Sequence, residues 1–182
     1  MEQFVWINRP SQFEIVDNKL ILQTQQDTDY WSRTHYNFIH KNGPLFIQQV
    51  NRDCLFQVHI KAEYKELYDQ ANAVIYVDDD NWVKIGLENG ENGQKFAGCV
   101  VTQNGYSDWS TYQINVPNLV DYYVKVEKTG NDFQCSISFD LNEWKQLRIF
   151  HLFSNKQVYM GITACSPLKS QFDAIFDGFK FQ

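Results

Sequence analysis

Cys54-Leu55-Phe56-Gln57-Val58-His59-Ile60-Lys61-Ala62-Glu63 changes character at almost every step. Successive side chains of an extended chain point to opposite faces. Phe56, Val58, Ile60 and Ala62 then form an apolar row with Cys54, while Gln57, His59, Lys61 and Glu63 form a largely polar row with Leu55. A helix would scatter both sets around its circumference. The run therefore predicts a half-buried strand. Trp82-Val83-Lys84-Ile85-Gly86-Leu87-Glu88 reads the same way, with Val83, Ile85 and Leu87 on one face and Trp82, Lys84 and Glu88 on the other. Further strands are expected over 19–24, 71–77, 96–103, 112–116, 122–128, 133–139, 157–164 and 172–181. Turn sequences separate them, among them Asp17-Asn18, Asn42-Gly43-Pro44, Asp78-Asp79-Asp80-Asn81, Asn89-Gly90 and Asn104-Gly105, whose residues tolerate positive φ. Short strands at intervals of about 8–15 residues predict an all-β sandwich or barrel. Glu63 to Asp69 is the one stretch expected to form a short helix or a turn of helix.

The chain has 182 residues, 16% aromatic and 21% charged, which suits one folded domain over residues 1–182 and excludes disorder. No apolar run approaches the ~20 residues of a spanning helix, and Met1 to Trp6 lack a basic region followed by an apolar stretch. A cytoplasmic protein is expected, with no membrane partner. A net charge of −6 spread along the chain argues against nucleic acid as a partner. Cys54, Cys99, Cys135 and Cys165 are widely spaced, with no CxxC pair, and are expected to be buried free thiols. His35, His40, His59 and His151 show no i, i+4 pair, so a catalytic zinc site has no support.

Several segments carry a family resemblance in order: Thr28-Asp29-Tyr30-Trp31 with Asn42-Gly43-Pro44; Leu67-Tyr68-Asp69-Gln70-Ala71; Asp79 to Glu88; Val100-Val101-Thr102; Tyr106-Ser107-Asp108-Trp109-Ser110; and Cys165-Ser166-Pro167. Through them the chain resembles the regulation-of-enolase family, a family of domains of unknown function whose members look like the concanavalin A-like lectin and glucanase sandwiches. The resemblance implies a jelly-roll sandwich of two curved antiparallel sheets, the concave one offering a groove. It implies no established reaction. The chain departs from the family pattern at Asp140-Leu141-Asn142-Glu143, where a serine-aspartate-glycine turn usually precedes the tryptophan found here as Trp144. Arg148 matches an arginine that usually follows.

The row Trp82, Lys84 and Glu88 is a candidate groove floor, since an indole offers a flat stacking surface and an ammonium and a carboxylate orient a polar guest such as a sugar or phosphosugar. The other reading packs Trp82 beneath a loop and leaves Lys84 and Glu88 as a weak surface pair of ~0–1 kcal/mol. Asp69 and Gln70, beside Tyr68, stand just before a strand as hydrogen-bonding candidates or as a plain turn. Asp108 and Trp109 are expected in a loop after Asn104-Gly105, where recognition residues concentrate, although Asp108 also suits a cap of local amides. His59, on a polar row, completes the candidate ligand-binding set.

The sandwich glucanases that the fold resembles use closely spaced acidic residues on one strand, and no such triplet occurs here. No nucleophile elbow, phosphate loop or dinucleotide fingerprint is present either. The leading expectation is a non-catalytic or weakly catalytic module that recognises a small polar ligand or a protein segment, with a metabolic enzyme as a candidate partner and no cofactor. The family name links it to central carbon metabolism. One alternative is a carbohydrate-active enzyme using Glu88, Asp69, Asp108 and His59; another is a protein-interaction domain. Asp173 and Asp177 offer oxygen ligands for a structural Ca2+, and Asp78-Asp79-Asp80 reads as a hairpin loop or a cation site.

Overall fold

The period-two runs fold as strands in a computed structural model that describes residues 1, 3–116, 119–152 and 155–182. In chain order they are β1 (Val5–Ile7), β2 (Phe13–Val16), β3 (Lys19–Gln23), β4 (Tyr30–Ser32), β5 (Ile39–Lys41), β6 (Leu45–Val50), β7 (Cys54–Glu63) and β8 (Gln70–Asp78). There follow β9 (Asn81–Asn89), β10 (Lys95–Gln103), β11 (Tyr106–Ile114), β12 (Leu119–Thr129), β13 (Asp132–Ser138), β14 (Lys145–His151), β15 (Val158–Cys165) and β16 (Asp173–Phe181). One antiparallel sheet has the order β1-β6-β15-β8-β9-β10-β11, the other β14-β13-β12-β7-β16-β3-β2. The result is a two-sheet jelly-roll sandwich of the concanavalin A-like class.

The two sheets bury their inner faces against each other. Phe56, Val58, Ile60 and Ala62 of β7 meet Val83, Ile85 and Leu87 of β9 in one interlayer cluster. Tyr122 of β12 spans it, its hydroxyl donating to the Ala71 carbonyl at 2.5 Å and accepting from the Leu87 amide at 3.3 Å. The bond ties the second sheet to the strands that carry Gln70, Lys84 and Glu88. Gly86 keeps that approach open, because a Cβ there would stand 2.6 Å from the Ala71 carbonyl oxygen.

The outer face of the first sheet is covered as well, which alternation alone does not foretell. β4 and β5 form a separate two-stranded ribbon lying over it. Beneath the ribbon a second apolar cluster gathers Tyr30, Trp31, Leu45, Ile47, Val74, Trp82 and Val100. The ribbon is pinned to the sheet by polar contacts: the Ser32 amide donates to Ser107 Oγ at 2.9 Å, and Ser32 Oγ and Arg33 Nη1 both donate to the Gly105 carbonyl.

Two local expectations fail for identifiable reasons. Residues 64–69 form a turn, and the helical piece among the described residues is the 3-10 turn Glu91–Gly93. Asp69 explains the turn: its Oδ2 accepts from the amides of Lys65 and Glu66, both at 2.9 Å, and these bonds compete with helical ones. Ser107 to Ser110 do not lie in a loop but in β11, with Asp108 opposite Val101 and Trp109 opposite Val100. Asn104 (φ 51°) and Gly105 (φ 74°) close a two-residue hairpin, so the strand resumes at once. At the departure from the family pattern, Leu141 takes φ 66°, the left-handed conformation a glycine would hold without cost, and Asp140 Oδ1 accepts from the amides of Asn142 and Glu143.

Candidate functional site

The candidate site is a pocket of about 200 Å³ between the outer face of β8–β11 and the ribbon, lined by Trp31, Tyr36, Phe38, Tyr68 and Trp109 around Asp29, Gln70, Lys84 and Glu88. Strand pairing sets the floor. Gln70 stands opposite Glu88 across β8 and β9, and Lys84 stands opposite Val100 across β9 and β10. The chain just before β4 adds Asp29 from above.

The floor is tightly bonded. Lys84 Nζ donates to Asp29 Oδ1 at 2.8 Å and to Gln70 Oε1 at 2.6 Å. Gln70 Nε2 donates to Asp29 Oδ1 at 3.2 Å and Asn72 Nδ2 to Gln70 Oε1 at 3.2 Å. Burial opposes the charge on Lys84, but the carboxylates of Asp29 and Glu88 outweigh it and raise its pKa. Glu88 is in the reverse position. Burial pushes its carboxyl up to about 7, Lys84 offsets this in part and Asp29 adds to it. Among the described residues nothing hydrogen-bonds or ion-pairs with the Glu88 side chain.

The walls are aromatic and, apart from the buried Trp31, only partly buried. Trp109 is 39% exposed and Tyr36 52%, so each offers ring surface to a guest. Tyr36 stacks on Phe38 with centroids 5.7 Å apart, and Trp31 meets Tyr36 edge to face at 5.6 Å. A Cβ on Gly98 would stand 3.1 Å from Trp109 Nε1, so the bare glycine lets the indole lie over β10. The rim is held in costly backbone conformations: Arg33, His35, Asn37 and Tyr68 all take positive φ. Such positions cost about 1–3 kcal/mol each and cluster where geometry serves function.

The structure brings Gln70, Lys84, Glu88 and Trp109 of the sequence-derived candidates together and separates the others. Trp82 is 0% exposed and packs edge to face on Tyr30 at 5.2 Å, so it offers no indole face to a ligand. The covering ribbon is the reason. Asp69 is buried in its turn, where Oδ1 also accepts from Ser170 Oγ, and it holds the segment that presents Tyr68. Asp108 is absent from the pocket lining; it lines the adjoining groove, which shares Trp31, Tyr36 and Trp109 with the pocket, and pairs there with Arg148 Nη2 at 3.0 Å. His59 belongs to the other sheet, between Asp121 at 2.5 Å and Asp177 at 2.7 Å.

Asp173 accepts from Gln23 and Asp177 faces His59 and Lys19, and among the described residues no group of three or more His, Cys, Asp or Glu is placed to hold a metal ion. Asp78 ends β8 and Asp79 and Asp80 form the β8–β9 turn; the three are engaged by Lys156, Tyr76 and Lys41 respectively. Sequence reasoning missed Trp31, Tyr36 and Phe38, and gave Asp29 and Tyr68 no place of their own in the ligand set. Asp29 and Trp31 lay within the segments carrying the family resemblance, which was the available signal.

Fold and pocket together define a two-sheet jelly-roll β-sandwich with an aromatic, ion-paired cleft on its outer face. The chain belongs to the family described as Protein of unknown function (DUF1349), whose profile matches residues 6–182. It is 29% identical over 167 residues to "Regulation of enolase protein 1" of Saccharomyces cerevisiae, covering 92% of this chain and 83% of that protein. The crystal structure of a functionally unknown protein from Saccharomyces cerevisiae superposes with a TM-score of 0.92 at 27% identity, over 100% of this chain and 96% of that one. Two more distant structures share the fold. A xylan β-1,4-xylosidase from Bacillus halodurans gives a TM-score of 0.72 at 14% identity, over 99% of this chain and 37% of that enzyme. The carbohydrate binding module CBM66 from Bacillus subtilis gives 0.61 at 12%, over 99% of this chain and 95% of the module.

Proposed function

We propose that the chain is a non-catalytic binding module, a single cytoplasmic domain over residues 1–182, that recognises a small carbohydrate-like ligand in the pocket above Lys84. One observation carries the reading: five aromatic side chains wall a cavity of about 200 Å³ whose floor is a bonded set of polar side chains. Flat rings stack on the apolar faces of a sugar, and fixed donors and acceptors sort its hydroxyls. The volume lies below the ~300–1,000 Å³ of drug-sized sites, which fits one sugar residue. The shared fold with a carbohydrate binding module supports the reading, and the yeast relative's name supports a link to central carbon metabolism. No cofactor is required.

A second reading, glycoside hydrolysis, is favoured by one feature: Glu88, with its carboxyl at about 7, shares the pocket with Asp29. A raised carboxyl suits a general acid. Asp29 is tied to Lys84 and Gln70, which leaves it poorly placed as a nucleophile or base. A thermal-shift screen of neutral sugars, amino sugars and phosphosugars, run beside an assay for released reducing ends, tests both. Stabilisation without release, lost in Trp109→Ala, is the expected result. Turnover abolished by Glu88→Gln would replace binding with hydrolysis.

A further inference from the structure

Resting on the carbohydrate reading, we propose that the ligand carries a protonated amine or a methylated ammonium, seated against Glu88 inside the aromatic walls. Three observations point to a cation. Lys84, the one cation lining the pocket among the described residues, already gives two of its ammonium protons to Asp29 and Gln70, and it is only 5% exposed. It has little left for an anion such as a phosphate. Asp29 and Lys84 cancel each other, so the charge left in the pocket is that of Glu88, which no described residue pairs or hydrogen-bonds.

The third observation is the wall. Trp31, Tyr36, Phe38, Tyr68 and Trp109 surround the same space, and the negative face of an aromatic ring attracts an ammonium, most strongly where water is displaced. Burial holds the Glu88 carboxyl at about 7, since Lys84 is shared with Asp29 and cannot fully stabilise its anion. An entering ammonium supplies the missing counter-charge. A neutral sugar stacks on the same rings but leaves Glu88 half-buried without a cation. Among carbohydrates the class selected is the amino sugars with a free amine, over their N-acetylated and hydroxyl counterparts.

Matched probes test this by calorimetry near pH 7: glucosamine, N-acetylglucosamine and glucose, the corresponding galacto series, and tetramethylammonium as a charge without a sugar. The amino sugars are expected to bind about tenfold more tightly than their matched neutral forms. In Glu88→Gln that preference should fall to about onefold, and in Glu88→Asp it should survive in part. A melting midpoint of Glu88→Gln at or above that of the unmodified protein at the assay pH shows that the loss is not unfolding. Equal or tighter binding of the neutral sugars overturns the inference and leaves the carbohydrate reading standing. Binding of tetramethylammonium with no sugar bound upholds the cation and overturns the carbohydrate. Silence from every probe overturns both.

Discussion

Lys84 Nζ lies 2.8 Å from Asp29 Oδ1, joining β9 of the first sheet to the chain entering the ribbon that covers it, across 55 residues of sequence. The pair is half of the pocket floor and also a clamp on the cover. Removing one partner of a shielded pair leaves the other charge desolvated, at a cost of about 3–5 kcal/mol when both are fully buried. Asp29 is 15% exposed, so roughly 2–3 kcal/mol is expected for Lys84→Met. Chemical denaturation should show that loss, and Lys84→Met combined with Asp29→Asn should recover a large part of it.

Glu88 gives stability a definite pH dependence. Its carboxyl is raised from 4.5 to about 7 by burial against the partial relief of Lys84, with Asp29 adding to the rise and Tyr68 beside it. The native state then holds a proton that the unfolded chain has released between those values. Stability is full below about 4.5, falls as pH rises through about 7, and is level above it. The total drop contributed is at most ~3.4 kcal/mol, less where the pocket opens to water. Denaturation midpoints at pH 5 and 8 should converge in Glu88→Gln relative to the unmodified protein.

Trp82 acts through packing. Fully buried beneath Tyr30, it leaves a large void when truncated, and Trp82→Ala is expected to cost about 3–5 kcal/mol. Its indole N–H finds no partner among the described residues, so Trp82→Phe forfeits volume but none of the described hydrogen bonds and should cost less than half as much. Thermal melts of the two variants check this. A stable Trp82→Ala protein that had lost ligand binding would return Trp82 to the binding surface.

Much of the fold was legible because both sheets bury a face against one core, and burial writes itself as alternation. β7 and β9 show it plainly. The ribbon was not legible: β4 and β5 have three residues each, too few to display a period. Without the ribbon, Trp82 reads as a groove floor, because a residue on the outer face of a strand is exposed unless something distant covers it. Lys84 and Glu88 were found from their shared strand face. Tyr36 and Phe38 sit in a loop held by positive φ at Arg33, His35 and Asn37, and no local pattern marks that loop as a wall.

Leu141 offers a test of the turn that departs from the family pattern. At φ 66° and 43% exposed, it carries left-handed strain with little packing in return. Leu141→Gly should raise stability by about 1 kcal/mol, visible as a higher denaturation midpoint with an unchanged slope.

The central claim is that the aromatic pocket binds a carbohydrate-like ligand, and Trp109 is where binding and folding separate most cleanly. Its indole is 39% exposed over Gly98, so Trp109→Ala should leave the melting midpoint within a few degrees of the unmodified protein. Calorimetric titration of both proteins with the amino and neutral sugars is the decisive measurement. The expected result is saturable, one-site binding to the unmodified protein that disappears in a folded Trp109→Ala. Saturable binding of equal affinity in the two proteins, or no binding of any sugar to either, would contradict the account.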